Sequence, residues 1–235
     1  MQNVIPATSY VHPRGSVRQA RQNVGGVSRI IAAGQNGTSF AVVGVNPNGT
    51  LDTSFASNGV AITNFCGTNA NLRGLALDSA GNIYASGVTS LTSRSYRIIA
   101  LVKYTSYGAV DTTFGNPSPS GSGRLGYTLL DFYANSSTVS GGTTSLLATT
   151  DTTGATKLLL GTISGSSAGS VFGLARYNAN GTLDSTFGGA GALAFTWGSD
   201  DIAEGLAVQS NGEIIEVGSS GSSGNDNFTL FRIWP

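Results

Sequence analysis

One cysteine, one histidine and two tryptophans occur in this chain of 235 residues, and only 10% of it is charged. The single thiol, Cys66, excludes an internal disulfide and any zinc site built on cysteine pairs, and it is read as a small buried hydrophobe. The single imidazole, His12, would have to serve any Ser-His-Asp triad, Cys-His pair or multi-histidine metal centre. It stands in YVHPRG beside a proline, where a solvated or edge histidine is expected. No apolar run reaches the roughly 18 residues that a membrane helix needs. The opening MQNVIPATSYVHPRG has neither a basic n-region nor the apolar stretch of a secretory leader. The expectation is either a cytosolic protein or one whose signal has been removed.

Acidic and basic residues balance at 12 each, so no global field gathers nucleic acid or an anionic membrane. The charge is nevertheless segregated. Residues 1–50 carry Arg14, Arg18, Arg21 and Arg29 with no carboxylate, whereas residues 200–235 carry Asp200, Asp201, Glu204, Glu213, Glu216 and Asp226 against Arg232 alone. What fills the surface in place of charge is glycine, at 34 residues, with many Ser, Thr and Asn. That composition favours strands and turns over helices.

A repeat organises the chain. NPNGTLDTSF at 46–55 returns as NANGTLDSTF at 178–187, and a weaker copy ends in Phe114. Aligned on Asp52, Asp111 and Asp184, each copy has a glycine three residues earlier (Gly49, Gly108, Gly181) and a phenylalanine three residues later (Phe55, Phe114, Phe187). At a constant distance upstream an apolar run opens at Phe40, Ile99 and Phe172, and FTLFRI from Phe228 fits the same run without a motif after it. Before each run lies a second apolar stretch, aligned on a closing glycine at Gly34, Gly87, Gly161 and Gly218. A third stretch precedes that one across AG-N, TG-A or NG-E turns, which are hairpin signals because glycine supplies the positive φ. The first unit departs from this pattern at SVRQARQNVGGVSRIIAAG. A fourth strand follows each motif: GVAITNF, RLGYTLLDF and GALAFTW. The anchor aspartates stand 59 and 73 residues apart, and the insertions at 116–123 and 134–142 account for the longer spacing.

Four short antiparallel strands repeated in tandem are the pattern of β-propeller blades. The expectation is an all-β single domain over 1–235, built of four four-stranded blades with units near 11–65, 66–132, 133–197 and 198–235 plus 1–10. From about Arg29 onward, NGTLDTSF, LALDSAGNIYASG and FGLARYNANGTLDSTFGG resemble the delta-60 repeat, a β-propeller repeat of bacterial secreted and surface proteins. The resemblance implies the propeller fold and an extracellular or envelope setting, and it brings no catalytic residues. In such a ring the last blade lacks its outer strand, and NVIPATSY (3–10) would supply it, removing two exposed edges; Pro6 is tolerated on an edge. The alternative joins the acidic end of one chain to the basic end of another, as a homo-oligomer of two half-rings.

Candidate chemistry is sparse. Carboxylates act as acids, bases and calcium ligands, yet a catalytic Asp has no reason to recur in every blade. Asp52, Asp111 and Asp184 are therefore read as turn-formers, accepting N–H bonds from the residues two and three further on, with the phenylalanine plugging the gap between blades. LDSAGN, TTDTTG and GNDN carry too few carboxylates for a calcium loop. Asp200, Asp201 and Glu204 are read as solvated loop carboxylates, and Trp197 and Trp234 as core residues that would stack on sugars only if exposed. Gly-rich GSSGSSGN lacks the lysine and helix of a phosphate cradle. Arg14, Arg18 and Arg21 with Tyr10 make too small a basic face for nucleic acid. Sequons at Asn36, Asn48, Asn135, Asn180 and Asn227 matter only in a glycosylating host. The functional expectation is a non-enzymatic interaction or structural module, with no cofactor and no metal, that binds a protein or glycan through loops on one face. A carbohydrate-binding propeller is the second reading. A hydrolase is the third, disfavoured by the poverty of His, Cys and clustered carboxylates.

Overall fold

The structure is a computed structural model that describes residues 17–91, 97–121, 123–130, 140–166, 169–198, 200–222 and 225–234. His12, Arg14 and the proposed closing strand 3–10 lie outside the described residues, as does most of the insertion at 134–142. Every regular element described is a strand. No helix is long and apolar enough to cross a membrane.

The first unit is a meander of β1 (Arg18–Val24), β2 (Val27–Asn36), β3 (Ser39–Val45) and β4 (Val60–Asn64), each strand antiparallel to the last. Its opening hairpin, which lacks the polar signature of the others, turns at Gly25 and Gly26, both with positive φ. The second unit repeats the order in β5 (Gly67–Leu77), β6 (Ile83–Leu91), β7 (Arg97–Tyr104) and β8 (Tyr127–Leu130). The third holds β9 (Ser140–Thr150), β10 (Thr156–Ser166), β11 (Gly169–Asn178) and β12 (Ala192–Phe195). The last holds only β13 (Asp200–Val208), β14 (Ile214–Ser222) and β15 (Asn225–Ile233).

Four sheets of four strands were expected. Instead the third and last units fuse into one seven-stranded sheet, because Ser170 of β11 pairs with Asp200 of β13 in a parallel bridge. The last unit has no fourth strand among the described residues.

Alternation along the strands gives each unit two faces, one toward the preceding unit (the back face) and one toward the next (the forward face). Three buried clusters fill the gaps between units. Phe40, Val42 and Phe55 of the first unit pack with Leu72, Ile83 and Val102 of the second. Leu101 and Phe114 of the second pack with Leu158, Leu160 and Tyr177 of the third. Leu159, Leu174 and Phe187 of the third meet Ile214 of the last.

The glycine closing the second stretch of each unit has a steric reason. A Cβ on Gly87 would strike the carbonyl oxygen of Asn71 and come within 2.6 Å of the Phe40 ring of the preceding unit; on Gly218 it would strike the Ile202 carbonyl and come within 2.7 Å of Phe172. The third unit corrects the sequence alignment by one residue. Gly34, Gly87 and Gly218 pair with Ala41, Ala100 and Thr229, and the equivalent partner, Gly173, faces Thr162 rather than Gly161. Here the small residue has moved to the opposite strand.

Gly87→Ala and Gly218→Ala are each expected to cost about 1–3 kcal/mol in urea unfolding, since neither backbone nor ring can move aside freely. Gly205→Ala, whose Cβ would sit at ordinary contact distance from Val217, should stay within about 0.5 kcal/mol. Equal effects at all three positions would contradict this packing.

Candidate functional site

The repeated motif is a turn of fixed construction. In the first copy Gly49 N–H donates to Asn46 O at 2.9 Å, Asn46 N–H to Thr50 O at 2.8 Å, and Asp52 N–H back to strand residue Gly44 at 2.9 Å. Asp111 and Asp184 bond to Lys103 O and Arg176 O in the same way. The glycine is required at φ of 85°, 85° and 83° in the three copies. Asn48 and Asn180 use their amide oxygens to accept from Thr50 and Thr182, so these two sequon side chains are part of the turn.

The carboxylates act as turn ties, with one difference from expectation. Oδ1 of each Asp accepts both the N–H and the hydroxyl of the residue two further on, Ser54, Thr113 or Thr186. The N–H of the third residue, the phenylalanine, goes instead to the Asp backbone carbonyl at 2.9–3.0 Å.

Oδ2 meets a cation every time. Arg29 lies 3.2 Å from Asp52, Lys103 2.8 Å from Asp111, and Asp184 has both Lys157 at 2.9 Å and Arg176 at 2.8 Å. Hydrogen bonding to Ser54, with the Arg29 charge, holds the Asp52 carboxyl below its ordinary range against the opposing effect of burial. At Asp111 and Asp184 burial is the largest influence and raises the carboxyl. The lysine and threonine hydrogen bonds and the neighbouring cations outweigh it, leaving both below normal, Asp184 most of all.

The phenylalanine joins one unit to the next. The Phe55 ring lies over Gly108, with Cζ 2.6 Å from where a Cβ would be, and Phe114 covers Gly181 at 2.9 Å. The residue after each ring seals the joint, Ala56 N–H donating to Tyr107 O at 2.7 Å and Gly115 N–H to Asn180 O at 2.9 Å. Guanidinium groups cap two of the rings, Arg29 at 5.7 Å from the Phe55 centroid and Arg176 at 4.6 Å from Phe187. Gly49, Asp52, Phe55 and their counterparts thus form three copies of one turn, whose ring seats on a glycine of the next unit at Phe55 and Phe114.

Other expectations change. Asp200, Asp201 and Glu204 lie in strand β13, not in a loop, and Asp201 is fully buried, accepting N–H bonds from Trp197 and Gly198 at 2.8 and 3.1 Å. Trp197, between β12 and β13, and Trp234, after β15, are exposed rather than in the core. Cys66 is exposed at a positive-φ position after β4. Asp78 and Asp151, in the calcium-like stretches, accept N–H bonds two and four residues on and so close hairpins. Among the described residues no group of three His, Cys, Asp or Glu side chains could hold a metal.

One residue escaped sequence reasoning. Glu216 of β14 is completely buried, neither carboxylate oxygen has a hydrogen-bond partner, and desolvation pushes its carboxyl up to about 8. It lies in the row Leu206–Glu216–Phe231 on the back face of the last unit, and Oε1 is 3.2 Å from the Cβ position that Gly161 leaves empty. Its signal in IIEVG was a carboxylate where other units have alanine or leucine. An open cleft of about 510 Å³ lies elsewhere, on the first unit, lined by Gln19, Arg21, Ser28, Ile30 and Pro47 among others.

Residues 24–55 and 157–187 match a family model described as a domain of unknown function (DUF5122) beta-propeller. Each segment runs from the second strand of a unit to the motif phenylalanine. These matches and the repeated antiparallel sheets support a β-propeller fold, with the units in the place of blades. It is also similar to the endo-arabinase from Bacteroides thetaiotaomicron VPI-5482, at 10% identity and a TM-score of 0.46, over 92% of this chain and 74% of that one. No curated protein sequence matches the chain.

Phe55→Ala and Phe114→Ala should each cost about 3–5 kcal/mol in denaturant unfolding. Asp184→Asn leaves Arg176 without its counter-charge and Lys157 with only Asp151 at 3.7 Å, and should cost about 2–4 kcal/mol at pH 7. Because the Asp184 carboxyl is depressed by folding, its stabilisation is present above the unfolded value near 4 and is lost as pH falls further; the gap between variant and wild type should close on acidification. Glu216 has the opposite sign. Its raised carboxyl destabilises the fold as pH climbs from about 4.5 toward 8, so Glu216→Gln should be the more stable form at pH 8 by about 2–4 kcal/mol, with no advantage at pH 4. A pH-independent difference would refute this account of Glu216.

Proposed function

We propose that the protein is a non-enzymatic β-propeller module, of the delta-60 type, that binds a partner protein through loops on one face of the ring. The observation that carries this reading is the loop from Gly115 to Gly126. It is an elaboration that the fold does not require, since the first and third blades pass from motif to outer strand without it. It is also held rigid. Pro117 bridges Arg124, Ser118 N–H donates to Gly123 O at 3.1 Å, Gly121 N–H donates to Ser118 O at 3.0 Å, and Arg124 NH1 donates to the Gly115 carbonyl. Residues 119–121 at the tip are exposed. A preordered, exposed loop binds with little entropic cost.

The non-enzymatic part rests on the motif carboxylates. Each is engaged by an N–H, a hydroxyl and a cation, and a depressed, paired carboxylate is a poor general acid or base at neutral pH. The resemblance supports an extracellular or envelope setting.

A second reading is favoured by one observation: Trp197 is 78% exposed, and Tyr107 is exposed as well. Flat aromatic surfaces of this kind stack on sugar rings, so a lectin-like propeller is the alternative.

Replacing 115–126 by the short Ala-Ser-Asn-Gly connection of the first blade should leave the urea midpoint nearly unchanged. A photo-crosslinker at Ser120 of the intact protein should capture the partner, and the replaced protein should no longer retain that partner in a pull-down. Retention that survives the replacement would count against the loop. Retention of a glycan on an array, lost in Trp197→Ala, would establish the second reading instead, and turnover on polysaccharide or ester panels would overturn both.

A further inference from the structure

The two end faces of the blade array are built to be covered, and they are not. Equivalent forward-face positions of the third strands are Phe40, Ile99, Phe172 and Phe228, and the first three are at most 1% exposed whereas Phe228 is 77% exposed. Two residues on, Val42, Leu101 and Leu174 are fully buried and Leu230 is 53% exposed. Ile202 shares the row of Ser219 and Phe228 and is exposed with them. The back face shows the same break at the other end. Ile30 is 40% exposed, while its counterparts Ile83, Leu158 and Ile214 are at most 2% exposed.

The blade joint is likewise split in half. Gly108 and Gly181 are buried under the ring of the preceding blade, but Gly49, with the same backbone conformation, is exposed and would have nothing within 4 Å of a Cβ. At the other end Trp234 directly follows β15 with Arg232 5.6 Å from its ring centroid, and Arg232 pairs with Glu213 at 3.7 Å. That combination of cation, carboxylate and aromatic ring matches the joints at Phe55 and Phe187, except that Trp234 is 71% exposed. One end presents a ring without a glycine seat, and the other a glycine seat without a ring.

We propose that a second copy of the chain covers these faces head to tail, the forward face of the last blade of one copy seating on the back face of the first blade of another. Charge favours this pairing. The back face of the first blade carries exposed Arg21 in the row of Ile30, whereas the forward face of the last blade carries exposed Asp200 two residues before Ile202. Continuity favours it too, since the contact sets a forward face on a back face as in the three buried clusters within the chain. Among the described residues no strand of the first blade makes more than a marginal contact with one of the last. The interface is heterologous, so two copies close a ring if the rotation permits, and further copies add if it does not.

The test is sedimentation of the full chain across a concentration series, with Phe228→Asp on the forward face and Ile30→Asp on the back face. Both side chains are exposed in a single copy, so circular dichroism of each variant should match wild type. Wild type should sediment as two or more copies, and each variant should raise the dissociation midpoint at least tenfold. A mixture of the two variants should associate again, because each retains the half that the other lacks. A monomer at all concentrations, an assembly indifferent to both substitutions, or a mixture that stays dissociated would each overturn the proposal.

Discussion

The structure depends on a phenylalanine ring lying on a glycine. Phe55 on Gly108 and Phe114 on Gly181 join consecutive blades at a point where any side chain would hold them apart. A ring buries more apolar surface than an aliphatic side chain, and the adjoining N–H to carbonyl bond fixes the angle at which the next blade follows. The rest of the motif serves that placement. Glycine turns the chain, Asp ties the turn, and the cation neutralises the Asp, capping the ring as well at Phe55 and Phe187.

What persists from blade to blade is therefore a charge pair rather than a residue. The cation comes from β2 as Arg29 in the first blade, from β7 as Lys103 in the second, and from both equivalent strands as Lys157 and Arg176 in the third. In the last blade no motif Asp is present, and Glu213, at the position of Lys157, supplies the carboxylate to Arg232. Gly44 stands where later blades have the cation because Phe55 passes within 2.7 Å of where its Cβ would be. Buried pairs of this kind contribute modest net stability but are costly to break, which suits a joint whose task is to fix geometry.

Strand order and the joint residues were legible in the sequence because their causes are local: alternation, hairpin glycines and the Gly/Asp/Phe spacing. What failed depends on the neighbouring blade. Phe228 and Leu230 look like core residues by type and strand position, and they are exposed because burial on a forward face requires a following blade, whereas Trp197 lies in the connection between β12 and β13. The one-residue shift at Gly161 and Thr162 was invisible because a run of leucines offers no register mark. Asp201 reads as a solvent carboxylate, yet a turn at Trp197 and Gly198 points two N–H groups at it.

Those dependencies converge on the last blade. Its back face makes the smallest of the three buried clusters and places Glu216 there without a partner, while its forward face is bare. Local opening begins where buried apolar contact is least, so the three strands β13 to β15 form the weakest unit of the array. The parallel bridge from Ser170 to Asp200 adds only one pairing against that tendency. Anything that binds the folded blade and not the opened one stabilises it by mass action. Cover on the Phe228 face would therefore act first on the blade that the chain holds least well.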